Sequence, residues 1–142
     1  MKIHSGALLV IAMIVFIAGC AGTGPVPQGD NADAMQALSL TIKSPVKATV
    51  PYPAAFICTM PKTGVDNVKG YFFWNQEGPF EYPLQKYEDV QTKQGKQPRL
   101  TFFLYTGRPD TYTISGYLVY REITTGKMGK TEKISAGPVT VK

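Results

Sequence analysis

Acid–base and nucleophilic chemistry at neutral pH draws most often on histidine. This 142-residue chain has one histidine, His4, close to its start. Nothing downstream can therefore use an imidazole to activate a serine or a cysteine, or to ligate zinc. Glu88 and Asp89 are adjacent, and neighbours on a strand point to opposite faces, so they do not converge on one bond. Glu77 and Glu81 flank a Gly-Pro pair and could approach each other, but no second motif of a glycosidase accompanies them. Gly129-Lys130-Thr131 looks like the end of a phosphate-binding loop. That motif needs a glycine five positions earlier, where Thr124 stands, and a strand-to-helix junction. No loop carries the density of oxygen ligands that calcium requires. The expectation is a protein that is not an enzyme, with no cofactor and no metal.

The two cysteines, Cys20 and Cys58, stand in different surroundings. Before Cys20, Lys2 and the amino terminus give a positive start, and Ala7 to Ile17 form an apolar run, ALLVIAMIVFI. Behind it come Gly22, Gly24 and Pro25. A positive start, an apolar stretch of roughly 7–15 residues and small residues after it describe a secretory signal peptide. A membrane-spanning helix would need about 20 apolar residues. Ile17-Ala18-Gly19-Cys20 resembles the lipobox of bacterial lipoproteins, an aliphatic residue and two small ones before a cysteine. The resemblance implies cleavage after Gly19, a diacylglycerol on the Cys20 thiol and an acylated amino terminus, with chains of the palmitate kind. Each buried methylene adds about 0.8 kcal/mol, so several chains make a stable anchor. Ala21, where an aspartate would stand in a retained protein, implies the outer membrane by the same resemblance. An ordinary signal peptide with an incidental cysteine, or an uncleaved single-span anchor, are the alternatives.

With residues 1–19 removed, Lys2 leaves too, and 14 basic side chains face 10 acidic ones. That excess is too small and too scattered for a nucleic-acid partner. Residues 20–36 are rich in Gly, Pro, Asp and Asn and read as the lipidated cysteine and a flexible tether. From residue 37 the apolar period becomes two: Leu38, Leu40 and Ile42; Leu100, Phe102 and Leu104; Tyr112, Ile114, Gly116, Leu118 and Tyr120. Strands are expected near 37–43, 46–50, 54–60, 68–75, 84–91, 98–105, 111–122 and 130–141. Seven or eight short strands with no helical stripe predict an all-β antiparallel sandwich over 37–142.

Cys58 lies in AAFICTM, Trp74 in GYFFWN, and Ile114 ends the run Asp110-Thr111-Tyr112-Thr113-Ile114. This resembles an immunoglobulin-like domain, where a cysteine, a tryptophan and a second cysteine meet in the core and a tyrosine two residues earlier closes a corner. Ile114 stands where the second cysteine would be, so the disulfide is missing and fibronectin-type or transthyretin-like sandwiches stay open. The resemblance implies a structural core of Cys58, Trp74, Tyr112 and Ile114. Cys58 is then either a buried thiol acting as a small hydrophobe or half of an intermolecular disulfide.

If Phe72, Trp74, Ile114 and Leu118 turn inward, alternation turns Tyr71, Phe73, Tyr117 and Val119 outward. These four are the candidate partner-binding face, with Lys127 and Lys130 at its rim. The competing expectation is that 76–90, with Phe80, Tyr82 and Tyr87, forms a loop covering the strand as core. Function is expected to be binding or assembly with another envelope protein, alternatively with a carbohydrate or peptidoglycan.

Overall fold

Alternation of apolar and polar residues becomes nine strands among the residues that the structure, a computed structural model, describes: 34–61 and 63–142. They are β1 (Gln36–Ile42), β2 (Tyr52–Thr59), β3 (Val65–Trp74), β4 (Glu77–Pro83), β5 (Lys86–Thr92), β6 (Gly95–Leu104), β7 (Asp110–Glu122), β8 (Met128–Lys130) and β9 (Ile134–Val141). Residues 1–33, which include Cys20, the expected signal peptide and most of the expected tether, lie outside the described residues. One sheet has the order β1-β2-β6-β5; the other has β4-β3-β7, and both β8 and β9 pair with β7. All pairings between these strands are antiparallel.

The sheets meet through one apolar layer, as in a β-sandwich. Phe56 on β2, Phe72 on β3 and Phe102 on β6 are fully buried, with ring centroids 5.5–6.0 Å apart. Their edge-to-face and tilted geometry is the one aromatic quadrupoles favour. Gly116 stands opposite Phe72 on the neighbouring strand. A Cβ there would lie 2.9 Å from the Phe72 ring, so the bare backbone makes room for it.

Four expectations about elements are corrected. The segment 46–50 is not a strand: Val46 makes a single parallel bridge to Val141, and turns follow. Pro45 and Pro51 bracket it and have no N–H to give a ladder. The segment 76–90 is not a covering loop: it holds β4, which was not expected, and most of β5, which was expected near 84–91, and the two belong to different sheets. The expected strand 130–141 is two strands, with residues 131–133 between them. The first strand begins at Gln36, one residue before the expected 37, and Met35 ahead of it is buried. The strand count is accordingly nine among the described residues, not seven or eight.

Candidate functional site

Tyr71 and Phe73 lie on β3, Tyr117 and Val119 on β7, and their side chains alternate with the buried Phe72, Trp74, Leu118 and Tyr120. The four therefore point away from the core, and each is half-buried. Register brings Tyr71 opposite Tyr117 and Lys69 opposite Val119. The Tyr71 and Tyr117 rings stack with centroids 5.3 Å apart, and Phe73 lies 6.2 Å from Tyr117. The segment 76–90 does not cover this face. Strand β4 lengthens the sheet beside β3, and its Phe80 and Tyr82 pack on the inward side against Trp74, with ring centroids 4.9 and 5.9 Å away. Tyr87 is exposed on β5.

Cations overlie the outward rings instead. Lys130 Nζ sits 4.4 Å from the Tyr117 centroid and Lys133 Nζ 4.5 Å from that of Phe73. Both distances fall within the reach of a cation–π interaction. Lys69 pairs with Glu81 at 2.9 Å, and Arg121 holds Asp66 with two bonds of 2.8 and 2.7 Å. These bonds set the carboxyl pKa values: hydrogen bonding from Arg121 lowers that of Asp66, and hydrogen bonding from Lys69 lowers that of Glu81. The face thus presents four cations around an aromatic ladder, with two carboxylates already engaged. Lys127 is in the turn after β7, where its carbonyl accepts a bond from the Glu122 amide. Lys133 was not singled out in the sequence, because the break at 131–133 resets the in–out alternation that would have revealed it.

Cys58, Trp74 and Ile114 lie in the one buried cluster, and Trp74 stands opposite Ile114 in register. Burial pushes the Cys58 thiol up to about 12. Trp74 Nε1 donates to the Tyr52 hydroxyl at 3.2 Å and also to Thr106, so its one polar atom is satisfied in the core. Tyr112 packs at the edge of the cluster, and its hydroxyl donates to the Arg108 carbonyl four residues upstream at 2.9 Å.

Beside Trp74 the sandwich end opens into a hollow of about 170 Å³. Its lining comes from β3, β4, the β6–β7 connection and the start of β7 and includes Trp74, Glu77, Phe80, Tyr82, Tyr105 and Arg108. Sequence spacing could not reveal this group, because it is assembled from three separate segments.

The remaining chemical candidates have local partners. Glu88 bonds Lys86 and Arg99, while the Tyr87 hydroxyl donates to Asp89. Glu77 lies near Arg108 and Glu81 near Lys69, so each acid has its own cation. In Gly129-Lys130-Thr131, the Thr131 hydroxyl accepts from the Leu118 amide at 2.9 Å and donates to the Glu132 carbonyl. A Cβ on Gly129 would meet the Tyr120 ring at 2.3 Å. Among the described residues no group of three His, Cys, Asp or Glu could hold a metal, and no helix is long and apolar enough to cross a membrane. The chain matches no family model, and no curated protein matches it.

Proposed function

We propose that the chain is a lipid-anchored lipoprotein of the cell envelope whose immunoglobulin-like sandwich binds another envelope protein and catalyses nothing. The observation that carries this reading is the outward ladder of Tyr71, Tyr117 and Phe73 with Lys130 and Lys133 over its rings. Aromatic side chains offer large contact area at low entropic cost and dominate binding energy at many interfaces. The surrounding cations favour a partner with an acidic surface.

The immunoglobulin-like reading draws support from strand order. Such sandwiches hold strands A, B, E and D in one sheet and C, F and G in the other. β1, β2, β6 and β5 follow the first order and β3, β7 and β9 the second, with β4 as an added edge. The Tyr112 bond to the Arg108 carbonyl has the form of the tyrosine corner. The anchor reading rests on Ile17-Ala18-Gly19-Cys20, and Ala21 favours the outer membrane.

A photo-crosslinking residue at Val119 of the membrane-anchored chain tests the docking face. The expected result is a crosslink to one acidic envelope protein, weakened by salt and absent when the same residue replaces Phe103 on the other sheet. Equal crosslinking from both positions contradicts it. The carbohydrate alternative attaches to a different part of the domain, the hollow beside Trp74.

A further inference from the structure

From the hollow at the sandwich end we infer that the domain has a second binding site, which takes a single ring of a neutral carbohydrate chain. This site shares no residue with the docking face and does not depend on it. Its floor and walls are aromatic: Trp74, Phe80, Tyr82 and Tyr105 all line it. Phe80 and Tyr105 are 44% and 52% exposed, so two large rings present part of their surface to water at its edge. Sugar rings carry C–H groups on their faces, and these stack on aromatic faces, while their hydroxyls point outward around the rim.

The polar groups suit such hydroxyls. Glu77 offers a carboxylate acceptor and Arg108 a set of guanidinium donors, at 3.9 Å from each other and both well exposed. A hydroxyl donates and accepts at once, so a rim holding both functions can bind adjacent hydroxyls of one ring. The two charges balance, which favours a neutral ligand over an anion or a cation. Size agrees: about 170 Å³ is below the range of about 300–1,000 Å³ for pockets that enclose drug-sized ligands. The hollow can hold one ring while the rest of a chain lies across its mouth.

A competing occupant of an aromatic enclosure is a quaternary ammonium group. Such a group makes no hydrogen bonds and would leave both Glu77 and Arg108 without a ligand partner, so the sugar ring fits the whole lining better.

Trp74 is the only tryptophan of the chain, so its emission reports directly on this site. The detergent-solubilised full-length protein is titrated with cellotetraose, maltotetraose, the tetramer of N-acetylglucosamine, and choline chloride. The expected result is saturable change in Trp74 emission with at least one of the three oligosaccharides. Tyr105→Ala and Arg108→Ala should each weaken it by about threefold to tenfold, and Tyr117→Ser should leave it unchanged. Both altered side chains are exposed, so the fold is expected to persist, with circular dichroism as the check. No response to any of the three oligosaccharides overturns the assignment. So does sugar binding that ignores both variants, or saturation by choline alone.

Discussion

Tyr71 and Tyr117 stand opposite each other across β3 and β7, with ring planes only 12° apart and centroids at 5.3 Å. Lys130 lies over the Tyr117 ring of this pair. The outward aromatics are thus partly shielded by each other and by the lysine ammonium groups over them. On the proposed docking reading, a partner would gain contact with the rings by drawing the lysines toward its own acids.

The stack itself should be measurable. Tyr71→Ala and Tyr117→Ala, singly and together, form a double-mutant cycle in urea denaturation. A coupling of about 0.5–1.5 kcal/mol is expected for such a ring pair. Strict additivity would mean that the two rings do not support each other.

Trp74 joins the core to the polar end of the sandwich through Tyr52 and Thr106. Trp74→Ala should cost about 3–5 kcal/mol as a large-to-small change. Since small domains have only about 5–15 kcal/mol in all, the midpoint of unfolding should fall steeply. A loss below about 1 kcal/mol would show that this end of the core relaxes freely.

Cys58 is fully buried, and its thiol is pushed from 9.0 to about 12 by loss of solvent. The folded state keeps the thiol neutral while the unfolded chain ionises it. The stability this gives is complete below 9.0 and is lost as pH rises toward about 12. The advantage of the parent protein over Cys58→Ala should therefore shrink across that window. In a Cys20→Ser background the native protein should also resist thiol reagents until it unfolds. A pH-independent difference, or fast labelling, contradicts this placement.

Asp66 titrates below its ordinary value of 3.8 because Arg121 hydrogen-bonds its carboxylate. Its contribution to stability is present above that value and fades as pH falls through the folded one. Carboxyl NMR titration should show the Asp66 midpoint rising when Arg121 becomes Gln. An unmoved midpoint would mean that the pair does not persist in solution.

The sequence made most of the strands legible, the edge strands β1 and β5 included, and most plainly those with a regular buried face. Leu100, Phe102 and Leu104, and Ile114 with Leu118, alternate with outward residues because core and solvent alternate there. Strand β4 escaped notice because Glu-Gly-Pro-Phe-Glu-Tyr-Pro reads as a turn. An edge strand needs partners on one side only and so tolerates two prolines. The outward direction of Tyr71, Phe73, Tyr117 and Val119 followed from parity. Lys130 was legible as a rim residue, but Lys133 was not, since it follows a break where Thr131 bonds back to β7.

The anchor has its own measurement. Mass spectrometry of the mature protein should find acyl chains on Cys20, and Cys20→Ser should leave an unprocessed or released chain. An unmodified amino terminus at any residue would contradict the lipoprotein reading.

The claim that this sandwich works by docking through its second sheet is tested most directly by changing the ladder itself. Tyr71→Ser, Phe73→Ser and Tyr117→Ser are combined in the anchored protein, and recovery of the protein crosslinked through position 119 is compared with that from Phe103→Ser. Removing aromatic anchors worth about 2 kcal/mol or more each should reduce recovery by well over tenfold while circular dichroism and the thermal transition keep a folded domain. Undiminished recovery by the folded triple variant, or equal loss with Phe103→Ser, would contradict the account.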